Sequence, residues 1–508
     1  MRPRFYKNKP QKKIAIDIVN NFNLIDRIDF GEIDGLYDKN LSSYFLDDDY
    51  WTKLIDGRKF FVIGRKGTGK SAIYNWVFEQ QYTNNVIVSN LSFKNFPFEK
   101  LLRLTDDDFS RPNQYQSVWR NIILSEICKH IMIDSNSIKN EAYLEIKKYF
   151  DHKFGTDLTD LHKRVTKQTT KTKSGLFFQG TGIGTEVIKE SELSDEFDNL
   201  TLINSKLEFL IKEYLKISPS VPYIIQFDQL DDNYTIYVNN DEYFQSIISL
   251  FKVVYDLNQS FYQINIPIKI ICYLRSDIFY EINNYDAESA RWDQHKHYLN
   301  WAIINRSDWL DPKLLQLLNK RIIKSLPDIP KQNPLAYVMK EISLINNEKK
   351  TSVFAYMVKR SFQRPRDLVQ FCIKIQEDSR KWKKLNTQNV LDGEKEYSSW
   401  LLGEVANEFG PFIKDKNTLY DFLRNLGERN ISYDDFYNEY KPFEQEIGMK
   451  TDNLLKLLYR LGIIFNVNQT KNKKEYFSII RNEKSSFNRN LKIQLHPGFN
   501  KGLHVYSS

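Results

Sequence analysis

The sequence predicts an α/β fold: a parallel sheet with helices between its strands, then a helical region, then a C-terminal domain of helices and a hairpin. Three observations predict it. The first is Lys59-Phe60-Phe61-Val62-Ile63, a short apolar run that passes directly into Gly64-Arg65-Lys66-Gly67-Thr68-Gly69-Lys70-Ser71 and then into an apolar-periodic segment (Ala72, Ile73, Trp76, Val77). That is a strand, a Gly-x4-Gly-Lys-Ser turn and a helix, the context a phosphate-binding P-loop requires. The second is a set of short apolar runs separated by helical patterns. The third is an amphipathic helix followed by two strand-like runs around a polar turn, near the end of the chain.

The turn explains its own residue types. Glycines let the backbone adopt conformations closed to residues with a β-carbon, so successive N–H groups turn toward phosphate oxygens. The helix that starts near Lys70 adds the positive end of its dipole. Gly64, Arg65, Lys66, Gly67, Thr68, Gly69, Lys70 and Ser71 are the expected nucleotide-binding residues. Lys70 reaches the β- and γ-phosphates as a point charge, and the Ser71 hydroxyl ligates Mg²⁺. With average residue usage, such a match arises by chance in a chain this long on the order of once in fifty. The expected ligands are therefore ATP and Mg²⁺.

Further strands are expected at Asn85–Ser89, Pro222–Asp228 and Pro267–Arg275, with helices at about 114–133, 192–217 and 242–258. The distance between the turn and the third strand implies a large insertion at about 95–218. Within it, a basic Thr-rich run (163–173) precedes two apolar segments around a Gly-Thr-Gly turn, giving an expected basic hairpin over 163–188. Its glycines lack a βαβ context and are weak evidence for a second phosphate site. Residues 1–28 read as a basic arm and 29–300 as the core with its insertion. Residues 301–404 read as a helical lid, with Leu314, Leu315, Leu318 and Ile322 at helical spacing. Residues 405–508 read as winged-helix-like, from the helix at Leu454–Leu461, its following glycine and the runs around Lys471, Lys473 and Lys474.

Composition bounds the partners. The 508 residues are 41% hydrophobic and 27% charged, ordinary for a globular chain, and the net charge of +8 permits nucleic-acid contact without demanding it. Three separated cysteines (Cys128, Cys272, Cys372) lack metal-ligand spacing and read as reduced core thiols, which points to the cytoplasm. No apolar run approaches the ~20 residues of a membrane helix, and no secretory leader opens the chain. The acidic triplets Asp47–Asp49 and Asp106–Asp108 read as solvated rather than as a nuclease centre.

Walker B chemistry needs an apolar strand that ends in a carboxylate beside the metal. Ile224-Ile225-Gln226-Phe227-Asp228 supplies it, with Asp228 on the Mg²⁺ side. The next residue is Gln229, where many ATPases place an acid. An amide can position a water but cannot take its proton, so either hydrolysis is slow or Asp231 serves instead. Arg275 ends the fourth strand, where it could sense the γ-phosphate or simply face solvent. Arg366, in Gln363-Arg364-Pro365-Arg366-Asp367-Leu368, stands in the first turn of a helix opened by proline, as a second sensor or a surface residue. Arg291 and Arg321 are weaker candidates for an arginine supplied in trans.

Taken together these residues resemble the bacterial AAA+/STAND-like P-loop ATPases with origin-recognition-type architecture, many of them found beside phage-defence genes. The matching pieces are Phe30-Gly31-Glu32-Ile33-Asp34, Gly64–Ser71, Phe227–Asp232, Leu274-Arg275-Ser276-Asp277-Ile278-Phe279, Arg364–Leu368 and Gln494-Leu495-His496-Pro497-Gly498-Phe499. The resemblance implies a P-loop NTPase (ASCE/AAA+-like) parallel sheet with an added strand between the Walker A and B strands, a helical lid and a C-terminal winged-helix domain. It also implies that Arg275 and Arg366 are sensors, while Gln229 departs from the usual acidic pair; the candidate catalytic residues are thus Lys70, Asp228, Gln229, Asp231, Arg275 and Arg366. The implied function is an ATPase switch, as the ATPase component of an anti-phage system, coupling nucleotide state to self-assembly, a partner effector or DNA. The alternative is a winged-helix protein that binds duplex DNA, with ATP only gating it.

Overall fold

A computed structural model describes residues 21–93, 113, 115–154, 191–217, 221–230, 241–282, 289–340, 342–346, 349–382, 385–470 and 474–505. The expected hairpin at 163–188, together with Asp231, Lys471 and Lys473, lies outside them. The chain divides into two compact units. One comprises Glu32–Ala302 with Arg364–Arg366, and the other Met1–Gly31, Ile303–Gln363 and Asp367–Ser508.

The first unit is mixed α/β. Its strands are β1 (Phe61–Gly64), β2 (Ile87–Ser92), β3 (Tyr223–Asp228), β4 (Ile268–Arg275) and β5 (Lys296–Tyr298). They form one parallel sheet in the order β2-β3-β4-β1-β5, flanked by helices. The flanking helices are α1 (Lys70–Glu79), α2 (Gln116–Ile133), α3 (Glu141–Phe154), α4 (Ser191–Ile217) and α5 (Asp241–Gln263). Strand β2 begins two residues later than the sequence predicts and runs on to Ser92. Strand β5 was not predicted.

The apolar runs are nearly continuous because both faces of the sheet are buried. Phe61, Ile63, Ile225, Phe227, Ile270, Cys272 and Leu274 point into one core with Trp119, Phe251 and Trp292. Val62, Ile224, Ile271 and Tyr273 point into the other, against Ile73, Tyr74 and Val77 of α1. Gln226 breaks the apolar pattern and is fully buried, but its amide is satisfied. It donates to the Tyr74 carbonyl (3.1 Å) and to Asn90 Oδ1 (2.8 Å), and accepts from the Tyr273 hydroxyl (2.6 Å). A buried polar group satisfied in this way avoids the cost of an unmade hydrogen bond.

The second unit contains α6 (Lys313–Ser325), the hairpin β6–β7 (Leu344–Asn346, Lys349–Thr351), α7 (Val353–Arg360), α8 (Pro365–Trp382, this unit's part from Asp367) and α9 (Thr387–Phe409). Leu317 rather than Leu315 joins Leu314, Leu318 and Ile322 on the buried face of α6. Buried Glu394 on α9 accepts from Tyr356 (2.6 Å) and Arg360 (2.7 Å) on α7 and pairs with Lys501 (2.9 Å). Farther on come α10 (Lys416–Leu426), α11 (Tyr433–Tyr440) and α12 (Thr451–Arg460). They precede β8 (Ile464–Gln469), β9 (Lys474–Phe477) and β10 (Lys492–Leu495), an antiparallel sheet in the order β10-β8-β9. Ile431, between α10 and α11, adds a bridge to Ile493.

All three cysteines are free and buried, as predicted, and burial pushes their thiols up, that of Cys372 to about 12. No helix among the described residues is long and apolar enough to cross a membrane.

One charge is held inside at a cost. Burial lowers the Lys269 ammonium on β4 from 10.5 to about 8, with Asp56 opposing the fall and Arg58 adding to it, while Nζ donates to the Gly57 carbonyl at 2.6 Å. Between those values the unfolded chain binds the extra proton, so stability rises with pH from about 8 to 10.5. Lys269→Met is expected to be more stable than the wild type at pH 7 by roughly 1–3 kcal/mol. That advantage should shrink toward pH 10 in urea titrations. An advantage independent of pH would contradict it.

Candidate functional site

Strands β1 and β4 run two residues farther toward the C-terminal edge of the sheet than β2 and β3 do. Gly64 is level with Arg275, and Ser92 with Asp228. In open α/β sheets this edge is where ligands bind. The glycine-rich turn leaves β1 at Gly64 and enters α1 at Lys70.

Two of its glycines are required by conformation. Gly67 has φ +82° and Gly69 φ +98°, in the left-handed region that L side chains resist. A Cβ on Gly69 would meet nothing within 4 Å. One on Gly67 would lie 3.2 Å from Arg366 Cβ and 3.4 Å from Arg364 Nε. A third glycine acts by close approach. A Cβ on Gly35 would come within 2.8–2.9 Å of Ala72 in the first turn of α1, so the segment after Glu32 packs directly on that helix.

The carbonyls of the turn all have donors. Lys70 Nζ donates to those of Gly64 (2.9 Å) and Arg65 (3.2 Å), and the Arg65 carbonyl also takes the Thr68 N–H (3.2 Å) and hydroxyl (2.7 Å). Arg364 Nη1 donates to the Lys66 carbonyl at 2.9 Å, the Arg366 N–H to that of Gly67 at 3.4 Å, and Trp301 Nε1 to that of Thr68 at 2.9 Å. In a trans peptide C=O and N–H point opposite ways. The Gly67 amide therefore points away from Arg364, opposite the Lys66 carbonyl, and the Gly69 amide away from Trp301, opposite that of Thr68.

Asp228 ends β3, 2% exposed, and its carbonyl accepts from the Phe93 N–H (3.1 Å). Burial first and the neighbouring Asp228 carboxylate second push up the hydroxyl pKa values of Tyr74 and Tyr273. Gln229 follows at φ +61°, and its Oε1 accepts from the Ser92 hydroxyl. Arg275 is at the edge, but its guanidinium is already bidentate to Asp277 (3.0 and 2.7 Å). Ser71 is half-buried in the first turn of α1.

Arg366 lies against the turn. Arg291 is exposed on a short 3₁₀ segment (Ser289–His295). Arg321 must be withdrawn as an arginine offered in trans. It is 7% exposed and donates to the Phe30 carbonyl within the second unit, so its guanidinium is a packing group. The sequence reading missed Ser92, Trp301 and Arg364. Ser92 could have been noticed as the polar end of a strand, whereas Trp301 and Arg364 reach the turn only through tertiary structure. Among the described residues no three His, Cys, Asp or Glu side chains group as a metal site.

Residues 312–406 match the model of a FunZ-associated C-terminal helical domain, a stretch that runs from α6 into α9. No curated protein matches the chain.

The two positive-φ glycines differ in surroundings, which orders their substitutions. Gly69→Ala is expected to cost about 1–2 kcal/mol, the left-handed penalty alone, and Gly67→Ala more, because the arginine pair must also shift. Thermal unfolding of the two variants checks the order.

Proposed function

We propose that this chain is a Mg²⁺- and ATP-binding molecular switch and a slow ATPase, built on a P-loop core of the ASCE/AAA+ type. The observation that carries the reading is the Gly-x4-Gly-Lys-Ser turn between β1 and α1, at the C-terminal edge of a parallel sheet. Its Lys66 and Thr68 carbonyls are held by donors, which leaves the Gly67 and Gly69 amides pointing away from those donors. The strand order supports it, because β4 stands between β1 and the Asp228 strand, as an added strand requires. Residues Gly64 to Ser71 would cradle the phosphates, with Lys70 exchanging two carbonyl partners for phosphate oxygens.

Ser71 and Asp228 fit a hard divalent cation, which prefers oxygen ligands. The Asp228 carboxylate is buried beside Tyr74 and Tyr273, so a cation there has a fixed partner. The cation would neutralise charge developing on the phosphates. Arg366 lies against the turn, and Arg275 would reach a phosphate by sharing or leaving Asp277. A setting in anti-phage defence and coupling to self-assembly or an effector belong to the proposal by resemblance.

Titration of the full chain with ATP and Mg²⁺ tests the reading. Lys70→Ala is expected to lose ATP binding at least tenfold with its fold intact. Unchanged affinity in a folded variant would sink the assignment. Wild-type turnover is expected to be slow because Gln229 cannot accept a proton. Gln229→Glu supplies a base and should raise turnover tenfold or more, within the range general bases contribute. A drop instead would mean that Gln229 is needed as an amide.

A second reading, a winged helix that binds duplex DNA, is favoured by one observation. Helix α12, just before β8, exposes Asn453, Lys456 and Arg460 at helical spacing, and on β9 exposed Lys474 lies over the Tyr476 ring at 5.2 Å. Lys456→Glu is expected to weaken a salt-dependent duplex shift several-fold. A duplex shift absent at low salt retires this reading.

A further inference from the structure

Arg364 is 5% exposed and stands two residues before Arg366, with proline between them. Both arginines count with the sheet unit, although they lie nearly 300 positions from the turn in sequence. Arg364 spends a charged donor, Nη1, on a neutral backbone acceptor, the Lys66 carbonyl, at 2.9 Å. The Arg366 backbone N–H takes the next carbonyl, that of Gly67, at 3.4 Å. The two contacts hold the two peptide planes that meet at Gly67: that between Lys66 and Gly67, whose far side is the Gly67 amide, and that between Gly67 and Thr68. Gly67 must be glycine here for φ +82° and also because the aliphatic part of Arg366 and the Arg364 Nε crowd the space a Cβ would take.

A turn that binds anions through its amides needs those amides aimed before the ligand arrives, or the ordering is charged against affinity. Lys70 cannot do this throughout. It holds the Gly64 and Arg65 carbonyls, and it must turn to the ligand when phosphate is bound. Arg364 acts on the next peptide instead: its Nη1 holds the Lys66 carbonyl, and in a trans peptide the Gly67 N–H points the opposite way.

We propose that Arg364 is a positioning residue of the glycine-rich turn, holding the Lys66 carbonyl outward and thereby aiming the Gly67 amide at the phosphates of a bound nucleotide. The inference rests on the nucleotide-binding reading above. It assigns Arg364 no contact with the ligand. Arginine suits the task because its planar, always-charged fork can donate to a carbonyl while its other nitrogens take other partners.

The test uses the full chain, with ATP and Mg²⁺ as the probe in calorimetric titration, and hydrogen exchange of the peptide covering residues 64–71 without nucleotide. Arg364→Ala is expected to bind ATP about tenfold more weakly, or 1.4 kcal/mol, with an unchanged unfolding temperature and faster exchange within 64–71. Arg364→Lys keeps one charged donor and should recover most of the affinity and protection. If Arg364→Ala does not fold, Arg364→Lys with Arg364→Gln carries the comparison, and the order wild type, Lys, Gln is expected for both readouts. Wild-type binding with equal affinity in all variants overturns the positioning role and leaves the nucleotide site standing. An affinity loss with unchanged exchange also overturns it, since the amides would then not be what Arg364 holds. A wild-type chain that does not bind ATP removes the nucleotide reading and this inference with it.

Discussion

A loop that offers backbone amides to a ligand must first dispose of its carbonyls. Everything at the sheet edge follows from how this chain does so. From Gly64 to Thr68 each carbonyl has a donor, and the donors come from three places: within the turn (Lys70, Thr68), from Trp301 beyond β5, and from the Arg364-Pro365-Arg366 segment. Only the first is encoded locally. The shape of an eight-residue turn therefore depends on residues more than two hundred positions downstream, and the turn is as much a product of tertiary packing as of its glycines.

The sheet beneath it makes that edge stiff. Burial on both faces fixes the strands side by side, and the strict alternation along β1, β3 and β4 leaves each residue one allowed direction. Gln226 could have been a weakness, a polar side chain in an apolar layer. It is instead saturated by Tyr74, Asn90 and Tyr273, two of which also neighbour the Asp228 carboxylate. The polar network thus sits two residues before the carboxylate and joins α1, which begins at the turn, to the strand that carries Asp228.

How much of this was legible depended on whether the cause was local. Strands β1, β3 and β4 were readable because a strand buried on both faces must be a continuous apolar run, and the glycine turn because its backbone admits few residues. Strand β5, Lys296-His297-Tyr298, has no such signature. It is three residues long and lies at the edge of the sheet, beside β1. The antiparallel strand β10 was hidden the same way, as four residues of alternating Lys-Ile-Gln-Leu after a polar stretch. Arg321 misled because an arginine on an amphipathic helix usually faces water, and nothing in the helix itself announces that Phe30 will take its guanidinium. The sequence favours Arg366 over Arg364 for a related reason. Spacing picks the residue in the first helical turn, and only packing reveals that its neighbour reaches the Lys66 carbonyl.

The same edge is what the proposal of a switch rather than a fast enzyme draws on. Its polar groups already have partners: Lys70 with two carbonyls, Arg275 with Asp277, Gln229 with Ser92. A ligand that uses any of them must displace a protein contact, so part of its binding energy goes into rearranging the edge. That differential is what lets a ligand shift a conformational equilibrium, since a ligand bound equally by both states shifts nothing. Gln229 is the extreme case, held at φ +61° in a conformation its side chain does not favour, with its carbonyl oxygen taken by a hydroxyl. An amide so placed brings a nucleophilic water no base. On the proposed reading, an edge of this kind would respond to a bound nucleotide more readily than consume it.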